Sequence, residues 1–328
     1  MTALVTGANG FVGAAVVRAL LARGERVRAL VRSGSDRRNL VSLDVETAEG
    51  DITRPETIVA AVEGCRAVFH VAADYRLWVP DPERMDRTNV QGSINVLEAS
   101  AGAGVERLVY TSSVATLGTR DDGSPADENT PVSIDDMIGT YKRSKYRAEA
   151  AVARRSRELG LEVVTVNPST PIGPGDFRPT PTGRIIVDAA AGRMPAFVDT
   201  GLNIVHVDDV AAGHLLAMDK GVTGQRYVLG GRDMSLREIL ELVAERTGRE
   251  PPWIRLPRWT VMPIAYISEG WARLAGAEPR VTIDAARMSS KYMYFSSAKA
   301  ERELDYRARP PGDAVADAIG WFREHHYL

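Results

Sequence analysis

Three glycines near the start of the chain constrain its fold more than any other feature. Gly7, Gly10 and Gly13 follow a short apolar run and lead into residues 11–21, whose apolar positions have helical spacing. In a turn between a strand and a helix, glycines reach unusual backbone angles and let the main chain approach a pyrophosphate, while the helix N-terminus faces the phosphates. The pattern predicts dinucleotide binding, although three glycines can also form an ordinary tight turn. The residues expected to contact the cofactor here are Gly7, Asn9, Gly10, Phe11, Val12 and Gly13.

The end of the second predicted strand indicates which dinucleotide binds. Arg32 follows Val27–Val31, and no carboxylate stands at this point. An acid there would bind the ribose hydroxyls of NAD, whereas an arginine accommodates the 2′-phosphate of NADP. Arg37 and Arg38 come shortly after and could bind the same phosphate. The sequence favours NADP(H), with NAD(H) as the alternative because surface loops are often rich in arginine.

Composition excludes several classes of protein. The chain has 328 residues, a formal net charge of −2 and 44% hydrophobic residues, which are values of an ordinary globular protein. The balanced charge gives no reason to expect a nucleic-acid partner. Cys65 alone allows neither an intramolecular disulfide nor a cysteine-rich metal site, and no metal is expected. Because no stretch is long enough to span a membrane and a strand starts almost at Met1, we expect a cytoplasmic location, with the inner face of the membrane as an alternative.

Apolar strands alternate with helices through the first half of the chain. This alternation predicts an α/β fold, a Rossmann-type doubly wound parallel sheet with ligands at the carboxyl ends of its strands. A Pro/Gly-rich connection, Pro168–Gly175, then leads into shorter elements. We predict a dinucleotide-binding Rossmann domain in residues 1–168 and a smaller C-terminal α/β domain in residues 169–328. The second domain would mainly bind substrate, with some segments returning to the first.

Three side chains suggest the chemistry. Tyr141 and Lys145 lie four residues apart on a predicted helix and hence on one face, where the ammonium would lower the pKa of the phenol and could hold the nicotinamide ribose. Ser113 follows the fifth predicted strand and could orient a substrate oxygen. Each feature alone is common, as a solvated helix face or a strand-end cap. Together, and in this order, they predict hydride transfer with Tyr141 as acid or base.

These motifs resemble the extended short-chain dehydrogenase/reductases of the NAD-dependent epimerase/dehydratase family. The matching segments are Thr6–Gly13, Gly50–Ile52, His70–Ala73, Thr88–Val90, Ser112 and Ser113 with Gly118, Tyr141–Lys145, Asn167–Pro168 and Val205–Ala211. The resemblance implies catalytic roles for Ser113, Tyr141 and Lys145, and it favours Ser113 over Ser112 through the spacing to Gly118. The further cofactor contacts that it implies are Asp51 and Ile52 at the adenine, Val71, Ala72 and Ala73 beneath the cofactor, Asn89, and Pro168 and Ser169 near the nicotinamide.

Two branches of the family compete. Arg32 is typical of the dihydroflavonol-reductase branch, which reduces ketones with NADPH, whereas residues 70–82 and 167–188 resemble the hopanoid-associated sugar epimerases. An epimerase that recycles its own NAD would be expected to carry an acid in place of Arg32. We predict an NADP(H)-dependent oxidoreductase that acts on a carbonyl or hydroxyl carbon of a sugar- or polyol-like group, in a hopanoid setting the polyol tail of the lipid. The alternatives are a nucleotide-sugar epimerase or dehydratase with tightly bound NAD, and a non-catalytic dinucleotide-sensing protein.

Substrate residues are predicted from position alone. Tyr75 and Trp78 follow the fourth predicted strand, and Phe177 and Arg178 lie in a loop that could close over substrate, although each could simply pack on its own domain. Trp259–Trp271 is strongly apolar. It predicts either a helix packed on the small domain or a surface that meets a membrane and receives a lipid-linked substrate. Homodimer formation is a further expectation from the family.

Overall fold

A seven-stranded parallel sheet forms the centre of the molecule, as a computed structural model describes it for residues 2–76, 78, 79, 81–275, 279 and 282–328. The predicted Rossmann-type fold is confirmed. The strands are β1 (Thr2–Thr6), β2 (Arg26–Val31), β3 (Glu46–Glu49), β4 (Ala67–His70), β5 (Arg107–Thr111), β6 (Glu162–Pro168), β7 (Thr170–Ile172), β8 (Ala196–Val198), β9 (Gly201–His206), β10 (Arg226–Leu229), β11 (Arg232–Ser235), β12 (Ile254–Leu256) and β13 (Tyr292–Met293).

Helices cover both faces of this sheet and build the C-terminal region. They are α1 (Phe11–Ala22), α2 (Pro55–Val62), α3 (Pro82–Asp86), α4 (Gly92–Gly102), α5 (Gly139–Leu159), α6 (Pro181–Ala190), α7 (Val207–Lys220), α8 (Leu236–Thr247), α9 (Arg258–Ala275), α10 (Ile283–Met288), α11 (Ala298–Leu304) and α12 (Pro311–Glu324). Local sequence sets several of their ends. Ser235 and Glu238 form the predicted capping box of α8, and Gly160 ends α5 with a φ of +66°.

The order of the parallel strands places the ligand crevice. They run β3-β2-β1-β4-β5-β6-β10, so the order reverses between β1 and β4. Ligands of doubly wound sheets bind outside the carboxyl ends of the strands at such a reversal. The loops that follow Thr6 and His70 therefore flank the crevice.

Segments beyond residue 168 contribute to both regions. β10 pairs with β6 at the edge of the large sheet, and α7 packs on α1. A smaller sheet forms around β9, which pairs with β7, β11 and β13. Helices α6, α8 and α12 bury an apolar cluster against it, including Ile186, Ile239 and Phe322. The chain therefore crosses between the two regions more than once.

The glycine turn after β1 is held by backbone-to-backbone contacts. Gly7 has a φ of +66°, and a Cβ atom there would lie 2.8 Å from the Cα atom of Ala72. A Cβ atom at Gly13 would lie 2.0 Å from the carbonyl oxygen of Gly7. The absence of a side chain at Gly13 thus lets α1 pack directly against the backbone of the turn.

We expect Gly13→Ala to lower the free energy of unfolding by roughly 1–3 kcal/mol, because the added methyl group can fit only if the turn backbone moves. NADPH binding should weaken with it. Urea unfolding and fluorescence titration with NADPH measure both effects. The matched control is Gly320→Ala in α12, where a Cβ meets open space and the helix should gain up to about 1 kcal/mol. Equal effects of the two substitutions would contradict this account of the turn.

Candidate active site

The start of α1 is open to an anionic ligand. Gly10 is its N-cap residue, no described side chain caps the helix, and its first turn has no acidic residue. Phe11 and Val12 begin the helix and pack partly on the core, while the amide nitrogen of Gly10 donates to the carbonyl oxygen of Gly7 at 2.9 Å. Backbone N–H groups at such an end suit a pyrophosphate. The turn therefore fits a dinucleotide.

Asparagine side chains tie this turn to two loops. The Asn9 amide donates to the carbonyl oxygen of Asp36 at 2.7 Å. The Asn39 amide donates to the carbonyl oxygens of Asn9 at 3.3 Å and of Gly175 at 2.9 Å. The loop after β2 and the Pro/Gly-rich connection are thus joined across the glycine turn. Sequence reasoning missed Asn39, because its partners are distant in the chain.

The three candidate phosphate-binding arginines are not equivalent. Arg37 pairs with Glu49 at 3.4 Å. Arg38 forms an ion pair with Asp36 at 2.6 Å, and its guanidinium lies 4.3 Å from the centre of the Phe177 ring. Hydrogen bonds from Arg38 lower the pKa of Asp36 to about 2. Arg32 is exposed at the end of β2, and its guanidinium has no hydrogen-bond or ion-pair partner among the described residues, although its charge reaches Asp51 and Asp74.

The predicted adenine and cofactor-loop residues follow β3 and β4. The Asp51 carboxylate accepts from the Thr53 amide nitrogen at 2.8 Å. Ile52 is buried beneath Gly92, where a Cβ atom would lie 2.8 Å from its side chain. Val71, Ala72 and Ala73 follow β4, and the Ala72 amide nitrogen donates to the Thr6 hydroxyl at 3.1 Å. All lie at the carboxyl edge of the sheet.

Asn89 is buried and engaged within the protein. Its Oδ1 accepts from the amide nitrogen of Asp74 at 2.7 Å, and its Nδ2 donates to the carbonyl oxygen of Asp74 at 2.9 Å. The same Nδ2 donates to the Ser144 hydroxyl at 2.8 Å. Asn89 therefore links the loop after β4 to α5, and its contact with the cofactor stays a prediction.

Ser113, Tyr141 and Lys145 come together at the carboxyl end of β5. Ser113 caps a 3₁₀ turn, Val114–Thr116, and its hydroxyl lies near enough to the Tyr141 phenol to lower the pKa of that phenol. Lys145 Nζ donates to the carbonyl oxygen of Thr111 at 2.9 Å and to the Tyr110 hydroxyl at 3.3 Å. Sequence reasoning missed Tyr110 because it lies within a strand that otherwise reads as core.

The prediction that Lys145 lowers the pKa of the Tyr141 phenol is wrong for the protein without a bound cofactor. Burial raises the pKa of the Tyr141 phenol above its ordinary value and outweighs the opposite effect of the nearby Ser113 hydroxyl. Burial also lowers the pKa of Lys145 to about 8. Spacing on the helix set the residues on one face, but removal from water, which disfavours both charged forms, decides the direction of each shift.

A buried polar network holds the strand end that carries Ser113. Glu149 accepts hydrogen bonds from Ser112, from Asn167 at 3.0 Å and from Thr116 at 2.9 Å, and it pairs with Arg226 at 3.1 Å. The Ser112 hydroxyl is therefore occupied. Sequence reasoning missed Glu149, although its position four residues after Lys145 places it on the same helix face.

The end of β6 presents an unsatisfied hydroxyl. Pro168 is the last residue of β6, and the amide nitrogen of Ser169 donates to the carbonyl oxygen of Leu229 at 3.2 Å. The buried Ser169 hydroxyl oxygen has no hydrogen-bond partner in the described part of the chain. A ligand group at this edge would satisfy it, which fits the position expected for the nicotinamide.

The candidate substrate residues differ in how exposed their side chains are to a ligand. Tyr75 is exposed, and the charges of Asp176 and Arg178 act on it, so the loops after β4 and β7 face one another. Trp78 is half-buried. The Phe177 ring packs edge-on against Trp321 at 4.7 Å in addition to Arg38, and is thus enclosed by its own protein.

The chain is similar to known proteins over nearly its whole length. Residues 3–230 match the model of the NAD-dependent epimerase/dehydratase family. A dihydroflavonol 4-reductase-like protein of Synechocystis is 44% identical over 99% of this chain and 95% of its own. Sterol demethylase protein B of Methylococcus capsulatus is 38% identical over 99% of both chains. The crystal structure of gox2253 matches with a TM-score of 0.90 and 54% identity, covering 100% of this chain and 99% of its own.

Asp176 anchors the loop that carries Phe177 and Arg178. Its Oδ2 accepts from the amide nitrogen of Thr180 at 2.8 Å and from its hydroxyl at 2.9 Å. Burial raises the pKa of this carboxyl to about 6. The group is protonated in both folded and unfolded protein below about pH 4. As pH rises from about 4 through 6, the carboxyl ionises in the unfolded chain before it ionises in the folded protein. The folded state therefore loses stability over this range.

We therefore expect Asp176→Asn, which keeps an acceptor oxygen, to gain stability over the wild type by up to about 3 kcal/mol as pH rises from 4 to 7. Urea unfolding across this range measures the difference. Asp36→Asn is the control of opposite type, because the pKa of Asp36 is about 2 and its charge is constant above pH 4. A gain for Asp176→Asn that does not vary with pH would refute the assignment.

Proposed function

This chain belongs to the NAD-dependent epimerase/dehydratase family, and we propose that it is an NADP(H)-dependent oxidoreductase of the extended short-chain type. Its substrate would be a lipid of hopanoid biosynthesis that carries a sugar- or polyol-like group. The enzyme would act on a carbonyl or hydroxyl carbon of that group. The observation that carries the proposal is the convergence of Ser113, Tyr141 and Lys145 on a crevice that also has Arg32 at its cofactor end. When bound, the dinucleotide supplies or accepts the hydride.

The residues of the site account for the proton. Because its pKa is raised, the Tyr141 phenol keeps its proton at neutral pH, and this suits donation to a substrate oxygen during reduction. Ser113 would hold that oxygen beside the phenol. Lys145 stays largely cationic at neutral pH and would stabilise the phenolate left after transfer. The occupied Ser112 hydroxyl supports Ser113 as the orienting group.

Arg32 supports the choice of NADP(H). The Arg32 guanidinium, which pairs with no described residue, can form charge-assisted hydrogen bonds with a 2′-phosphate. Arg37 and Arg38 are partly neutralised by Glu49 and Asp36 and would contribute less. The names of the related proteins, a reductase and a sterol demethylase protein, support a reduction on a lipid.

The exposed apolar residues of α9 favour the proposal of a lipid substrate. Trp259, Ile267, Trp271 and Leu274 are 74%, 73%, 71% and 86% exposed. Between Trp259 and Ala272 the sequence has one charged residue, Glu269, and it is buried. Tryptophan and aliphatic residues on one helix face, flanked by arginines, are typical of helices that lie in a membrane interface. None of the described helices is long and apolar enough to cross a bilayer.

Charge favours an anionic bilayer as the occupant of this face. The chain as a whole has a net charge of −2, yet residues 246–291 contain eight Lys and Arg against four Asp and Glu. Arg255 and Arg258 share the single carboxylate of Asp199, so two positive charges face one negative charge at the start of α9. Basic residues near anionic lipids each contribute about 1 kcal/mol to binding.

Helix α10 contacts both α9 and the neighbourhood of Tyr141. The buried Glu269 accepts from the amide nitrogen of Ile283, the first residue of α10, at 2.7 Å. Asp284 and Met288 of α10 line a cleft together with Tyr141. Helix α10 therefore lies between α9 and the residues around Tyr141.

We expect Arg32→Ala to raise the Kd for NADPH roughly ten- to hundredfold, because a charge-assisted hydrogen bond to the 2′-phosphate is lost. The Kd for NADH should stay within about twofold of the wild-type value. Separate titrations of NADPH and NADH measure this. Arg66→Ala, at the opposite end of the sheet, should change neither. A wild-type preference for NADH, with NAD retained through purification, would overturn the proposal in favour of the epimerase or dehydratase alternative.

For the bilayer, we expect Ile267→Glu to weaken binding to vesicles of equal phosphatidylglycerol and phosphatidylcholine at least tenfold, because a charge enters the apolar face. Val59→Glu changes an equally apolar, exposed residue on α2 and should have no effect. Co-sedimentation measures binding. If wild type does not bind vesicles, or if Ile267→Glu instead splits a dimer, α9 does not serve as a membrane surface.

A further inference from the structure

Lysine is rare in this chain and concentrated around one site. Of its 41 Lys and Arg residues only five are lysines, namely Lys142, Lys145, Lys220, Lys291 and Lys299. Lys145 belongs to the candidate catalytic group, and Lys142 and Lys291 line a single cleft beside it. Since arginine provides nearly all cations elsewhere, the lysines of this cleft call for a local reason.

Lys142 is a buried cation that pairs with no carboxylate of the described residues. It follows Tyr141 on α5 and is only 8% exposed. The thioether sulfur of Met293, at 3.7 Å, is the one hydrogen-bond acceptor that the described residues offer its ammonium. Burial, together with the charge of Lys291, lowers the pKa of Lys142 to about 8. An unpaired buried charge is costly, so folding maintains this ammonium at the expense of stability.

The cleft that this ammonium faces has room for a ligand. Its volume is about 80 Å³, and Thr119 and Lys291 are among the residues that line it. A water molecule needs only about 10–15 Å³ of such space, so the cleft holds several waters or one small anionic group.

The carboxylate in the cleft does not neutralise Lys142. Asp136 also lines the cleft, but its Oδ2 accepts from the amide nitrogen and hydroxyl of Ser133, both at 2.8 Å, and its charge faces Lys291. Burial and the charge of Lys291 are the causes of the lowered pKa of Lys142, and Asp136 is not among them. The charge of Lys291 is thus partly balanced by Asp136, whereas the charge of the more buried Lys142 is not.

The cleft adjoins the space in front of the candidate catalytic tyrosine. A second, smaller cleft is lined by Tyr141, by Met288 and by the carboxylate-bearing Asp284, and it shares Ile138 and Lys142 with the first. A group bound at Lys142 would therefore lie next to a group bound at Tyr141.

We propose that Lys142 and Lys291 form a binding subsite for an oxyanion, a carboxylate or a phosphate, that the substrate carries close to its reacting carbon. The inference rests on the proposed function, because Tyr141 marks the reacting carbon. A compact ammonium fits a narrow cleft, and two of them with the Thr119 hydroxyl supply donors to several oxygen atoms. The subsite would select acidic substrates over their neutral analogues, since these would leave the buried ammonium unpaired.

The small number of lysines makes a direct test practical. Protein labelled with ¹³C at lysine Cε and loaded with NADP⁺ should give five resonances, which Lys142→Met and Lys291→Met assign. Acetate and inorganic phosphate are titrated in turn, with chloride as the ionic-strength control. We expect the signals of Lys142 and Lys291 to move saturably, while those of Lys220, paired with Asp305, and Lys299 do not.

The variants decide the outcome. Lys142→Met should raise the Kd of the bound anion at least tenfold and leave the Kd for NADPH within about twofold. A stronger response to acetate identifies a carboxylate substrate, and a stronger response to phosphate identifies a phosphorylated one. Equal movement of all five signals, or an unchanged Kd in Lys142→Met, would overturn the proposal. If Lys142→Met does not fold, Lys291→Met, at a less buried position, gives the same comparison.

Failure of this inference can be told apart from failure of the proposed function. The preference between NADPH and NADH depends on Arg32, at the end of β2, and is measured without an anion. Saturable anion binding in a protein that prefers NADH would keep the subsite and remove the NADP(H) assignment. A preference for NADPH without anion binding would remove the subsite alone.

Discussion

The contact on which the site depends is the approach of the glycine turn to the backbone after β4. Gly7 touches Ala72, and Gly13 closes α1 onto the carbonyl group of Gly7. Beneath them, His70 Nδ1 is 2.8 Å from the Thr6 hydroxyl and its Nε2 is 2.9 Å from the Ser93 hydroxyl. Burial lowers the pKa of His70 to about 3, so the imidazole stays neutral and ties β1 to β4 where the strand order reverses. The crevice exists because these backbones meet without side chains between them.

Helix α5 then distributes the chemistry around this crevice. Lys145 reaches the end of β5, Glu149 holds the loop of Ser113 through Ser112 and Thr116, and Lys142 points into a separate cleft. One rigid helix thus fixes the distances between the proton-transfer group and its surroundings. Rigid support of this kind is what positions catalytic groups closely enough for reaction.

The two regions of the molecule meet above the glycine turn. Asn39 bonds to Gly175, and Arg38 lies over Phe177, which packs on Trp321 of α12. The loop that would receive the adenosine phosphate is therefore in contact with the loop that leads into the C-terminal region. Helix α9 is joined to α10 through the buried Glu269, which accepts from the amide nitrogen of Ile283.

The sequence by itself determined the sheet, the glycine turn, the helix face shared by Tyr141 and Lys145, and the arginine at the end of β2, because these follow from spacing within short segments. Only the tertiary structure decided which groups are neutralised. It paired Arg38 with Asp36, occupied Ser112 with Glu149, left Lys142 with a thioether, and raised the pKa of Tyr141 instead of lowering it. Such outcomes depend on burial and on partners distant in the chain, and a local pattern of residues contains neither.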